Sequence, residues 1–287
     1  PDAKIVVTGC YAQMESEKIK EMPEVDLILG TSEKYNVFDY LESDDETIIH
    51  IDHSKDFWGA ATSLEDSHTR SFLKIQDGCN YICSFCIIPF ARGRSRTITI
   101  EEAVVKTQEL VQSGFQEIVL TGVNIGEYEA SSGQKLSDLV QAISQVSGLK
   151  RLRLSSVEPN TINDELLTVL KDSQIYQPHF HIPIQSADPS ILKSMRRKYT
   201  IDYYQSVLDK VHSYFPGAGV GADVIVGYPG ESEKQFQNTY DFLKRSSITH
   251  FHVFPFSKRK GTTAAKLADQ ISPEIKKERV RKLIDLG

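Results

Sequence analysis

From residue 71 onward, short apolar runs alternate with longer stretches in which apolar residues recur every three or four positions. Runs suited to strands begin near Phe72, Glu117, Leu152, Phe180, Val220 and Phe251. Between them the amphipathic period predicts helices over 100–113, 136–146, 162–170, 201–214 and 232–245. Thr99, Thr161, Thr200 and Ser232 stand where N-caps belong, and Gly114 where a helix ends in a left-handed glycine. Six such strand–helix units predict a parallel sheet, either open and doubly wound or curled into a barrel. In either arrangement ligands gather at the carboxyl ends of the strands.

The first seventy residues follow a shorter rhythm. A strand over 4–10 ends in a Gly9-Cys10 turn, residues 16–22 suit a helix, and 25–30 a second strand. Thr31 or Ser32 can cap a helix running to Tyr40. The acidic stretch 42–46 and the irregular residues to Thr69 suggest a linker. The expected division is therefore a partial α/β domain over 1–45, a linker over 46–69 and a core domain over 70–287.

The segment after each core strand is polar or glycine-rich. In turn these are the loop 78–86, Thr121-Gly122-Val123-Asn124-Ile125-Gly126, Ser155-Ser156-Val157-Glu158-Pro159, Gln185-Ser186, Gly227-Tyr228-Pro229-Gly230-Glu231 and Pro255-Phe256-Ser257-Lys258. Any one of these is ordinary loop chemistry. Six at the same end of a sheet mark a binding face.

Composition changes this picture little. The 287 residues are 40% hydrophobic and 25% charged, enough for one sizeable core with additional material. No apolar run is long enough to span a membrane, so no membrane partner is expected. A net charge of −6 argues against general polyanion binding. Local basic clusters qualify that statement: Arg92-Arg94-Arg96, Lys150-Arg151-Arg153, Arg196-Arg197-Lys198 and Lys258-Arg259-Lys260. Affinity for RNA phosphates follows such local charge, while each cluster singly also suits a solvated surface.

Chemistry enters with the cysteines. Three of the four, Cys79, Cys83 and Cys86, form C-x3-C-x2-C directly after the strand at Phe72. Three thiolates on one loop can grip a metal centre and leave a coordination position open, as in an iron–sulfur cluster with one free iron. A structural zinc site would need a fourth ligand, for which His179, His181, His250 and His252 are candidates. A disulfide framework fits clustered cysteines poorly, and their clustering suits a reducing, cytoplasmic setting. The lone Cys10 reads most simply as a buried thiol at a strand end.

With Phe85 just before the last cysteine, the loop resembles the signature of the radical S-adenosylmethionine (SAM) enzymes. The longer context, Phe72-Leu73-Lys74-Ile75-Gln76-Asp77-Gly78-Cys79 and Cys86-Ile87-Ile88-Pro89-Phe90-Ala91-Arg92-Gly93-Arg94-Ser95-Arg96, is similar to the methylthiotransferases of that superfamily. The resemblance implies a partial (β/α)6 barrel with a four-iron four-sulfur cluster on Cys79, Cys83 and Cys86 at its mouth, where SAM chelates the open iron. It further implies cofactor contacts from Phe85, Gly122, Val123, Asn124, Ser155, Ser156, Glu158, Gln185 and Ser186. RNA contacts would come from Arg92, Arg94, Arg96, Arg196, Arg197, Lys258 and Arg259.

Val7-Thr8-Gly9-Cys10-Tyr11-Ala12-Gln13 resembles the third cysteine motif of the family's N-terminal domain, which holds a second, auxiliary cluster. The first two cysteines have no counterpart in this sequence, nor does the RNA-binding barrel usual at the family's C-terminus. The expectation is of a fragment that cleaves SAM but does not thiolate RNA.

The segments 195–200, 252–257 and 124–126 are most like the branch that acts on threonylcarbamoyladenosine beside the tRNA anticodon. The branches for isopentenyladenosine and for a ribosomal protein are its relatives. Ala187 and Lys260 depart from the usual glycine and proline, away from the cluster ligands. The implied reaction adds a methylthio group to carbon 2 of the adenine. SAM bound to the cluster is cleaved by one electron from an external donor to give a deoxyadenosyl radical, the auxiliary cluster supplies sulfur and a second SAM the methyl group. A zinc-stabilised RNA-binding module would use the same cysteines and basic loops without redox chemistry.

Overall fold

The computed structural model describes residues 3–41, 46–49, 69–130 and 132–287. A small parallel sheet comes first. It consists of β1 (Val6–Thr8), β2 (Leu27–Leu29) and β3 (Thr47–Ile48) in that spatial order, with helix α1 (Cys10–Lys20) and the short α2 (Val37–Tyr40). Ala12, Ile19 and Ile28 form its core.

Three expectations change here. Helix α1 begins at Cys10, six residues before the expected start, because Gly9 at φ 103° turns the chain straight from strand into helix. Neither Thr31 nor Ser32 caps a long helix: residues Glu33–Asn36 wind as a 3-10 turn before the single turn of α2. Thr47–Ile48, assigned to the linker from sequence, pairs with β2 and belongs to the sheet. The rest of that linker, 50–68, and the acidic residues 42–45 lie outside the described residues.

The core domain follows the predicted alternation. Its strands and helices in order are β4 (Ser71–Lys74), β5 (Gln76–Asp77), α3 (Ile88–Arg92), β6 (Arg96–Thr97), α4 (Ile100–Gln112), β7 (Glu117–Thr121), α5 (Leu136–Ser144), β8 (Arg151–Leu154), α6 (Asp164–Asp172), β9 (His179–His181), α7 (Pro189–Ser194), α8 (Ile201–Tyr214), β10 (Gly219–Val226), α9 (Glu233–Arg245), β11 (His250–Pro255) and α10 (Pro273–Ile284). Strands β4, β7 and β8 pair in parallel, as do β9, β10 and β11. Parallel bridges Leu152–Tyr176 and Ser156–His181 join the two sets. The six strands form a partial (β/α)6 barrel.

Thr99, Thr200 and Ser232 cap α4, α8 and α9 as expected, each side chain accepting a backbone N–H of the first turn. Thr161 does not. Residues Pro159–Thr161 form a 3-10 turn in which the Thr161 hydroxyl donates to the Glu158 carbonyl, and Asn163 caps α6 instead.

Alternation along the strands separates two faces. Leu73, Ile118, Leu120, Leu152, Leu154, Phe180, Val220, Ala222 and Val224 are buried against the helices in one continuous core. The neighbours Phe72, Val119, Arg153, His181, Asp223 and His252 line a cavity of about 500 Å³ in the barrel lumen. Phe72 is 44% exposed while Leu73 beside it is fully buried.

The small sheet docks on the barrel through α1 against α3. The buried Thr31 hydroxyl donates to the Ala91 carbonyl at 2.9 Å, and Lys74 Nζ donates to the Tyr35 hydroxyl at 3.0 Å.

Candidate active site

Where β4 ends, the chain makes a closed excursion. Residues Gln76–Asp77 and Arg96–Thr97 pair antiparallel, so the loop between them, with its three cysteines and α3, is clamped at its base. Gly78 turns at φ 73°, and a Cβ there would sit 2.1 Å from the Arg94 carbonyl oxygen, so no other residue fits. The Cys79 N–H donates to the Gly93 carbonyl at 3.1 Å and the Cys86 N–H to that of Cys83 at 3.1 Å.

Ser84 ties the loop to the far half of the barrel. Its N–H donates to the Met195 carbonyl at 3.1 Å, its carbonyl accepts from Ala264 at 2.8 Å, and its hydroxyl lies 2.8 Å from that of Tyr228. Phe85 packs against Ile191, Met195, Tyr228, Phe256 and Ala264. The cysteine loop is thus held across the mouth by the segments that follow β9, β10 and β11.

The sulfur atoms face hydrogen-bond donors. The Tyr81 N–H lies 3.3 Å from Cys79 Sγ, Asn124 Nδ2 3.9 Å from the same sulfur, and Arg197 Nη1 3.2 Å from Cys83 Sγ. Such donors suit thiolate ligands, since hydrogen bonds to sulfur tune a cluster. Burial pushes the Cys79 thiol up to about 12 and raises those of Cys83 and Cys86. The free thiols therefore stay protonated at neutral pH, and a bound metal ion reverses this by deprotonating them.

Two buried oxygens have no hydrogen-bond partner among the described residues: Asn124 Oδ1, on the side chain beside Cys79, and Ser155 Oγ, on the wall of the lumen cavity. A ligand with donor groups, such as the methionine amine of SAM, would satisfy them. Gly122 and Val123 sit beside Asn124 on the loop after β7. Ser156 bridges to His181, and Gln185, at φ 63°, continues the pairing with β10 opposite Val224.

Two expected cofactor contacts are otherwise engaged. The Glu158 carboxylate pairs with the buried Arg197 guanidinium. Ser186 is fully buried, its hydroxyl 3.2 Å from that of Thr239 and accepting from the Asp188 N–H, so it supports the loop from inside the core.

The expected RNA contacts divide in the same way. Arg197, with 3% of its side chain exposed, lies between Glu158, Cys83 and the Tyr199 hydroxyl, and has no access to a phosphate. Arg92 and Arg96 converge on the Asp77 carboxylate at 3.0 and 3.4 Å, and Arg92 Nε also donates to Cys10 Sγ at 3.1 Å. Arg197 is thus committed to the partly buried Glu158, and Arg92 and Arg96 to the buried Asp77, which they share with Lys74. Arg94, Arg196, Lys258 and Arg259 are exposed.

Two important residues went unnoticed in the sequence. Gln76, fully buried, accepts from the Val123 and Asn124 N–H groups at 2.9 Å each and donates to the Gly78 carbonyl and Ser95 hydroxyl at 2.8 Å each. It joins the cysteine loop to the Gly122 loop. Asp77 collects Lys74, Arg92 and Arg96, and their charges outweigh its burial and hold its carboxyl below the usual range. The run of three alternate arginines was the available signal for an acidic partner; no periodicity points to Gln76.

Residues 73–243 match the family model of the radical SAM superfamily. The whole chain aligns with the threonylcarbamoyladenosine tRNA methylthiotransferase MtaB of Bacillus subtilis at 42% identity, covering 65% of that protein. It also aligns with the enzyme of the same name from Aquifex aeolicus at 39% identity, covering 71%. The chain thus spans about two thirds of the length of these relatives. Among solved structures it is similar to the cobalamin-dependent S-adenosylmethionine radical enzyme OxsB, with TM-score 0.60, 12% identity, and coverage of 98% of this chain and 43% of that one.

Proposed function

Because the chain belongs to the radical SAM superfamily and, within it, to the tRNA methylthiotransferases, we propose that it is the catalytic core of an enzyme that methylthiolates carbon 2 of N6-threonylcarbamoyladenosine in tRNA. The names of its relatives favour that nucleoside over isopentenyladenosine or a ribosomal protein. The observation that carries the reading is the cysteine loop, clamped across the barrel mouth with hydrogen-bond donors directed at its sulfurs. Cys79, Cys83 and Cys86 would hold a four-iron four-sulfur cluster there, and that group would supply the one-electron reduction on which the reductive cleavage of SAM depends.

The chain's own residues position and shield. Cys79, Cys83 and Cys86 are the ligands. Arg197 and the Tyr81 N–H place positive charge and a dipole beside the sulfurs. Gln76 holds the Gly122-Val123-Asn124 loop against the cysteine loop, so that the Asn124 oxygen, without a partner among the described residues, is kept beside Cys79 for the SAM methionine. Cys10, beside Arg92, is the residue this chain contributes to an auxiliary cluster. Exposed Arg94, Arg196, Lys258 and Arg259 offer phosphate contacts for tRNA. The core domain extends from about residue 70 and the first sheet is a separate structural unit. Among the described residues no helix is long and apolar enough to cross a membrane.

Anaerobic reconstitution tests this reading. Four irons and four sulfides on the three cysteines and reductive formation of deoxyadenosine are expected, with both lost in Cys83→Ala. A colourless, zinc-loaded protein that binds tRNA without cleaving SAM would instead establish the RNA-binding module.

A further inference from the structure

The lumen wall carries a group of side chains that this chemistry leaves unused. Strand alternation directs His181 on β9, Asp223 on β10 and His252 on β11 to the same face. Asp223 stands directly opposite His252, and His181 opposite Gly221, one diagonal step from Asp223. We propose that His181, Asp223 and His252 form a binding site for a divalent transition-metal ion of the zinc or ferrous type, separate from the cysteine loop.

The geometry requires little change. His181 Nε2 lies 3.0 Å and His252 Nδ1 3.3 Å from Asp223 Oδ1, and the three ligand atoms fall within 4.8 Å of one another. Bonds of about 2.1 Å to a tetrahedral ion separate neighbouring ligands by roughly 3.4 Å. An ion therefore enters with movements of less than an ångström. The His181 and His252 rings stack with centroids 5.4 Å apart, which keeps both on the same side of the carboxylate.

Two imidazoles and one carboxylate select zinc or ferrous iron over calcium or magnesium, which prefer all-oxygen ligands. The three ligands come from one wall, and the opposite side opens on the lumen cavity with Phe72, Val119 and Arg153. The remaining coordination position thus faces the cavity and takes water or an oxygen or nitrogen atom of whatever occupies it. His181 is 13% exposed, Asp223 25% and His252 59%, so the ion would sit at the open side of the cavity, reachable from solvent through His252.

The site shares no residue with the cysteine loop, so its metal can be counted apart from the cluster iron, although it opens on the same cavity as Ser155 and Ser156. Anaerobically reconstituted protein is dialysed against buffered micromolar zinc, and iron and zinc are counted by mass spectrometry. One zinc per chain is expected beside a full iron complement. Zinc falls to background in His252→Ala and Asp223→Asn with the bound iron and the far-ultraviolet circular dichroism unchanged, and it returns in His252→Cys, which restores a ligand. The same zinc must persist in Cys79→Ala/Cys83→Ala/Cys86→Ala. Equal zinc in the wild type and His252→Ala, or zinc that disappears with the cysteines, overturns the proposal and leaves a hydrogen-bonded His–Asp–His group.

Discussion

The two faces of the barrel strands carry opposite chemistry on adjacent residues. Toward the helices, Leu73, Ile118, Leu120, Leu152 and Val220 are completely buried, and only their shapes matter. Toward the lumen, the same strands present Phe72, Arg153, His181, Asp223 and His252 around a cavity. Closed (β/α)8 barrels fill the corresponding space with layers of branched apolar side chains. Here the lumen contributes little to holding the fold and is free for chemistry, while the helix side supplies the hydrophobic stabilisation. At the mouth a third kind of residue, polar yet buried, ties loops from both halves together.

Substitutions can break that division, beginning with the largest effect. Leu120→Ala on the helix side removes buried methyl groups that cannot be refilled, at a cost of about 4 kcal/mol, read as the free energy of chemical denaturation. A loss below about 1 kcal/mol would show that the helix-facing layer is not the main support.

Asp77→Asn at the mouth strips three cations of their partner, at a cost of about 3 kcal/mol at pH 7. The Asp77 carboxyl is held below its ordinary value of 3.8 when folded, so its contribution is complete above that pH. It fades as the pH drops from 3.8 through the lowered folded value. Denaturation curves of the wild type and Asp77→Asn should therefore converge under acid, and a gap that widened there would contradict the assignment.

Gly122→Ala introduces a Cβ 2.8 Å from the Gln76 carbonyl oxygen and 2.8 Å from its side-chain oxygen. Stability should fall by about 1–3 kcal/mol, and SAM affinity measured by calorimetry should fall as the Asn124 loop shifts. His252→Ala on the lumen face, without added metal, should alter stability by about 0.5 kcal/mol or less. A thermal melt showing a larger loss would place His252 with the structural residues.

Legibility in the sequence followed the same division. Strands, most helix caps and a parallel α/β sheet could be read because the helix-facing residues repeat with fixed periods and Thr99, Thr200 and Ser232 stand at helix starts; the choice of a barrel over an open sheet came from the resemblance carried by the cysteine loop. The cysteine loop could be read because three ligands of one centre are close in sequence. Residues whose partners lie far along the chain could not. Arg197 meets Glu158 thirty-nine positions away and Gln76 meets Asn124 forty-eight away, so basic surface and buried brace look alike in a linear pattern. The beginning of α1 was hidden because Gly9 turns the chain without a side-chain cap.

The attachment of the first sheet has a mechanical outcome. Helix α3, only five residues long, accepts Thr31 through Ala91 and reaches Cys10 through Arg92, while its first residue follows Cys86 by two. Sliding one unit past the other would have to break that buried hydrogen bond and the Arg92–Cys10 contact together, so the short helix acts as a latch that keeps Cys10 in register with the loop of three thiols.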